Sequence, residues 1–186
     1  MKNILIVVLL IVTITSCKAQ IIAVENFEDY PYELPDGAYI KDVNNVLDKY
    51  VGTWKGSYDN KNYEFRIIKF TEVNTKYSLN YKEDMLLMRY KITSSSGTVL
   101  ANTLSLPNDS PYIIRGDYLA KSGPYVLGYV GLQGDCGQNG NIFMSVYNTT
   151  ETKMKLFLNV HGEMSECTTG PAPQIIPTDW IDLTKQ

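Results

Sequence analysis

The sequence contains one histidine, His161, and three cysteines, Cys17, Cys136 and Cys167. That scarcity excludes most metal chemistry. His161-Gly162-Glu163 is not the His-Glu-x-x-His spacing that puts two ligands on one helix face, so no metal and no cofactor is expected. Taken alone, His161 is a surface residue at a strand end. Basic charge is also in short supply, with 17 Lys and Arg against 20 Asp and Glu and a formal charge of −3. A phosphate backbone needs a basic face, so nucleic acid is excluded as a partner. No polybasic stretch follows the N-terminal apolar segment to grip anionic headgroups.

Long apolar runs are absent too. The longest, from Ile4 to Ile14, is about eleven residues, short of the roughly 18 to 20 that span a bilayer. It follows Lys2 and precedes small polar residues, which is the order of a signal peptide, so residues 1–16 are expected to direct export. The segment Ile14-Thr15-Ser16-Cys17 resembles a lipobox, with Ile14 where Leu is commoner. That resemblance implies that Cys17 is acylated and becomes the first residue of the mature chain. One acyl chain anchors only marginally, whereas the two or three of bacterial lipoproteins anchor stably. Lys18-Ala19-Gln20 stands where some surface-exported lipoproteins carry an acidic run. The expected location is therefore the cell envelope, on the periplasmic face of the outer membrane.

Nucleophilic and phosphate-binding motifs are missing as well. The glycine-rich loop from Gly131 to Gly140 lacks the Gly-Lys-Ser/Thr ending of a P-loop and runs into a strand pattern rather than a helix. Ser94 to Ser96 has no flanking nucleophile-elbow glycines and reads as a hairpin turn. Glu28-Asp29 and Glu83-Asp84 are adjacent in sequence rather than set across a cleft, and they read as solvated. A Cys136–His161 nucleophile is the sharpest enzymatic idea, but oxidation of Cys136 with Cys167 would remove the attacking thiolate. No enzymatic activity is expected.

What the chain does contain is β pattern. Residues 17–38 read as a tether, punctuated by Pro31, Pro35 and Asp36-Gly37, although Ile21, Ile22, Val24 and Phe27 could dock on a domain. Val43, Val46, Leu47, Tyr50 and Val51 recur at helical spacing between a candidate cap, Asp42, and a stop, Gly52, so a short helix is expected over 42–51. After Gly52, alternating segments follow one another to the C-terminus. They begin with Trp54–Tyr58 and Tyr63–Phe70, where Ile68 and Phe70 change face and suggest a bulge. They continue with Leu86–Ile92, Thr98–Leu104, Tyr112–Tyr118, Tyr125–Leu132, Ile142–Tyr147, Met154–His161 and Trp180–Leu183. About eight to nine strands joined by short polar turns make an all-β antiparallel meander, a barrel or a sandwich, over 39–186. In an up-and-down meander the loops bearing Cys136 and Cys167 lie two strands apart and fall at the same end. An exported compartment is oxidising, so the two are expected to pair.

Gly52-Thr53-Trp54 resembles the first strand of lipocalin-like barrels, in which a Gly-x-Trp follows a short helix and the Trp plugs one barrel end. A longer resemblance rests on Ser16–Gln20, Pro35–Asn44, Gly52–Gly56, Leu106–Tyr112 and Leu183–Gln186. Together they resemble a family of small Bacteroidota lipoproteins classed as a domain of unknown function. It implies secretion, lipidation and a compact β domain, and assigns no functional residue. The function expected is a membrane-anchored lipoprotein whose barrel binds a small apolar or amphipathic ligand in the envelope. The alternative is a packed barrel with no ligand, serving as a structural or interaction protein. The 14 tyrosines suit either a pleated core or a binding surface, and no ligand-binding residue can be picked out among them.

Overall fold

The computed structural model describes residues 20–30, 34–75 and 80–186. The expected signal peptide, 1–16, and Cys17 lie outside the described residues. The strands are β1 (Ile21–Ala23), β2 (Tyr39–Lys41), β3 (Gly52–Tyr58), β4 (Lys61–Asn74), β5 (Tyr81–Ser94), β6 (Val99–Asn102), β7 (Ile114–Leu119), β8 (Tyr125–Val130), β9 (Asn139–Val146), β10 (Lys153–Val160) and β11 (Ile181–Lys185). Strands β5-β4-β3-β11-β10-β9-β8-β7 follow one another, and β7 returns to β5, so eight strands close a barrel. The expected all-β antiparallel barrel is the fold, and among the described residues helix is confined to short 3-10 turns.

Closure depends on β5. Along one edge it pairs with β4 from Lys61↔Ser94 to Asn74↔Tyr81. Its other edge is shared in turn by β2 at Lys82 and Glu83, β7 at Leu87 and Met88, and β6 from Lys91 to Thr93. The β5–β7 seam is two residue pairs long, and a side chain extends it. The Tyr125 hydroxyl accepts the Leu86 N–H at 3.2 Å. A Cβ on Gly116 would lie 2.2 Å from that hydroxyl, so the seam needs glycine there.

The interior is filled. Trp54, Tyr50, Tyr90, Tyr129, Phe65, Leu86 and Met88 are fully buried and belong to one core cluster. Trp54 donates its indole N–H to the Tyr50 carbonyl at 2.7 Å. Lys185 lies over the Trp54 ring, 5.3 Å from its centroid. A second, small cluster of Met85, Leu87 and Ile113, with Phe70 and Leu106 against it, sits on the outer face of β5. Arg89 pins the covering loop by donating to the Leu106 carbonyl, and Arg115 by donating to the Asn108 carbonyl.

Three sequence expectations are corrected. The helix over 42–51 is only a 3-10 turn, Asp48–Tyr50, because Asn45 takes a left-handed conformation at φ 55°. Asp42 still caps, accepting the N–H groups of Val46 and Leu47, and Leu47 and Tyr50 are buried as their spacing requires. The bulge at Ile68–Phe70 is absent, since β4 and β5 pair without a register shift. Phe70 is apolar there because it covers the outer cluster. The segment read as a tether contributes to the sheet from Ile21 onward: β1 pairs with β2 in parallel, and Ile22 and Val24 are buried.

Gly116→Ala should destabilise the protein by about 1–3 kcal/mol, through overpacking at the seam. Tyr125→Phe should cost about 1–3 kcal/mol by orphaning the buried Leu86 N–H. Urea denaturation followed by circular dichroism checks both, and unchanged midpoints would refute the role of this seam.

Candidate functional site

The β3–β4 hairpin and the two cysteine loops share one end of the barrel. Asp59 and Asn60 connect the hairpin with φ of 46° and 57°, the pair of positive values that a two-residue type I′ turn requires. Cys136 and Cys167 form a disulfide across the neighbouring loops, as expected from the meander. The segment between β10 and β11 has little regular structure but is well tethered. Ala172 N–H donates to the Cys136 carbonyl at 2.8 Å, and Leu158 N–H to the Pro177 carbonyl at 2.7 Å. The buried Gln138 side chain donates to the Pro173 carbonyl at 2.8 Å and accepts the Gln133 N–H at 3.0 Å. Tyr58 closes the gap between hairpin and loop by donating to Asp179 at 2.7 Å.

Two open grooves flank this hairpin and share Tyr63. One, of about 440 Å³, is lined by Lys55, Ser57, Asn62, Glu64, Lys91 and Thr93. Lys55 and Arg66 both bridge to Glu64, at 3.4 and 2.8 Å. Burial works against the Glu64 carboxylate, but these cations hold its carboxyl below the usual range. The other groove, of about 400 Å³, runs between Tyr58, Lys61 and the 174–179 segment. Burial, together with the nearby Asp59, pushes the Tyr63 hydroxyl up to about 12. Both surfaces carry both charge signs; the second is mainly polar, and the first is about evenly polar and apolar.

His161 is exposed beside the disulfide loop, and its backbone N–H donates to the Asn139 carbonyl at 3.0 Å. Cys136 is committed to the disulfide, so the two assemble no thiolate–imidazole pair. Among the described residues no group of three or more His, Cys, Asp or Glu side chains could hold a metal.

The reading of Glu83-Asp84 as solvated is corrected. Glu83 is 8% exposed and lines a cavity of about 10 Å³ with Val24, Phe27, Ile40, Asp117 and Tyr125. Such a space holds at most about one water. Burial first, then the carboxylates of Asp117, Glu72 and Asp84, push the Glu83 carboxyl up to about 8. Asp84 behaves oppositely. Burial alone would raise it, but donors from Thr71, the Asp42 backbone and Tyr39 hold its carboxyl below the usual range. Adjacency along the strand concealed this contrast. The one sequence signal was that Glu83-Asp84 directly precedes the apolar run Met85–Met88.

A family model described as a family of unknown function, DUF6705, matches residues 1–185. No curated protein and no solved structure matches the chain.

Because the folded-state pKa of Glu83 lies above its ordinary value of 4.5, the folded chain holds a proton that the unfolded chain releases. Stability should therefore fall as pH rises from about 4.5 to 8, by up to about 1.4 kcal/mol per unit. In Glu83→Gln that slope should flatten, and the variant should melt above the parent at pH 8 and near it at pH 4.5. Equal pH slopes in calorimetry would refute the buried-acid reading. Replacing Cys136 and Cys167 together by serine should cost about 2–4 kcal/mol and make the 161–180 segment the first site of proteolysis. Limited digestion with mass mapping checks this, and unchanged cleavage would show that backbone contacts alone hold the loop.

Proposed function

The chain belongs to DUF6705, a family of unknown function, and from that premise we propose that it is an exported, lipid-anchored envelope protein that works by binding a partner on its outer surface. Its membrane partner is the bilayer that receives the acyl chains on Cys17. The observation that carries the binding mode is the filled interior. Tyr50, Trp54, Phe65, Tyr90 and Tyr129 occupy the space where a ligand-binding barrel would be hollow. The grooves of useful size lie outside, around the β3–β4 hairpin, on a rim held by the disulfide. This favours the interaction protein over the carrier of a small apolar ligand. A catalytic role has less support, since the cysteine that could attack is oxidised and the buried carboxylate faces a space about the size of one water.

Anchoring is supported by the order of charge, apolar run and Cys17 in the sequence, and periplasmic placement by Lys18-Ala19-Gln20. The disulfide accords with an oxidising compartment.

Native mass spectrometry of protein extracted gently from its own membranes tests both halves. The expected species is residues 17–186 plus acyl chains, with no further mass. An uncleaved or unacylated chain would overturn the anchoring, and a discrete reproducible cargo would overturn the packed-scaffold reading. Photo-crosslinkers at Tyr58 and Lys91 should capture one defined envelope partner that a crosslinker at Val130, away from the grooves, does not.

A further inference from the structure

We infer that the end of the barrel opposite the disulfide rests on the bilayer through one cross-strand row, Ile21–Tyr39–Lys82–Val73. The inference builds on acylation at Cys17. The residues of this row are register partners across four neighbouring strands: Ile21 opposes Tyr39 on β2, Tyr39 opposes Lys82 on β5, and Lys82 opposes Val73 on β4. Residues directly opposed in a sheet project to one face. Two of the four are exposed aliphatics, Ile21 at 58% and Val73 at 62%. The Tyr39 hydroxyl is held by donating to Asp84 at 2.8 Å. An apolar groove of about 200 Å³ continues the row along Gly37, Ala38 and Tyr81.

The occupant is fixed by where the chain comes in. Gln20 accepts the Tyr39 N–H at 2.9 Å and directly precedes Ile21, so the described chain begins on this row. From Cys17 to Gln20 is a reach of at most about 11 Å when fully extended. An anchor so short leaves the row within headgroup distance of the bilayer and leaves the opposite end out of reach. The chemistry suits that interface. Aliphatic side chains enter the acyl boundary, a tyrosine sits at headgroup level, and a lysine can lay its stem on apolar surface with its amine in water. With one lysine in the row, apolar contact dominates over charge, and the contact should resist added salt. The grooves beside the β3–β4 hairpin then face away from the membrane, toward a partner in the compartment.

Trp fluorescence in vesicles tests this with the full acylated chain. The chain has two tryptophans, Trp54 in the core and Trp180, exposed at the disulfide end, so the parent reports the distal end. Val73→Trp and, separately, Ile21→Trp add a reporter on the row. Each protein is reconstituted in phosphatidylethanolamine–phosphatidylglycerol vesicles, with and without lipids brominated high on the acyl chain. The expected result is strong loss of the added emission in both variants, little loss in the parent, and no change on raising salt. Vesicle-bound variants quenched no more than the parent would overturn the orientation while leaving acylation standing. Protein that fails to float with the vesicles, and lacks acyl mass, would overturn the anchor and this inference with it. Using two positions on different strands guards against one substitution disturbing the fold.

Discussion

The whole architecture depends on satisfying both edges of β5. Its backbone groups must be paired from Tyr81 to Ser94, because Leu86, Met88, Tyr90 and Ile92 on one face and Met85 and Leu87 on the other are buried. Buried peptide groups without partners would cost more than the burial gains. β4 satisfies one edge completely. No single strand satisfies the other, so β2, β7 and β6 divide it, and the division turns an open sheet into a closed barrel with appended strands. Gly116 and the Tyr125 hydroxyl belong to this same solution, since they supply one more acceptor where the β7 ladder stops.

The interior is filled, and the two barrel ends differ in kind. The disulfide end carries both charge signs and is braced by backbone contacts, and it has grooves large enough to hold a side chain or a short peptide segment. The opposite end receives the N-terminal segment, carries exposed aliphatics, and closes over Glu83 with Val24 and Phe27. Glu83 links stability to pH at this end of the barrel, where the carboxylates of Asp117, Glu72 and Asp84 also lie.

Where sequence reading succeeded, local signals and tertiary demands agreed. Alternation located the strands from β3 to β11, and up-and-down topology put Cys136 beside Cys167. The candidate grooves were only partly legible. Tyr58, Tyr63 and the Asp59–Asn60 turn could be read as hairpin residues, but Lys91 and the 174–179 segment reach the same surface only through the barrel. Where reading failed, a distant element had changed the meaning of a local pattern. Phe70 looked like a slipped face because the loop over Met85 and Leu87 was not visible. Ile21 and Ile22 looked like a linker because their partner, β2, pairs in parallel, and parallel pairing leaves no hairpin signature.

By itself the sequence determined the class of fold, the strand order along the chain and the disulfide partners, because period-two alternation and turn residues act over a few positions. Only the tertiary structure decided that the interior is packed, that the N-terminal segment joins the sheet and that Glu83 is buried while Asp84 is hydrogen-bonded. Those outcomes turn on which strands share the second edge of β5, and pairing between residues dozens of positions apart leaves no mark on either local pattern.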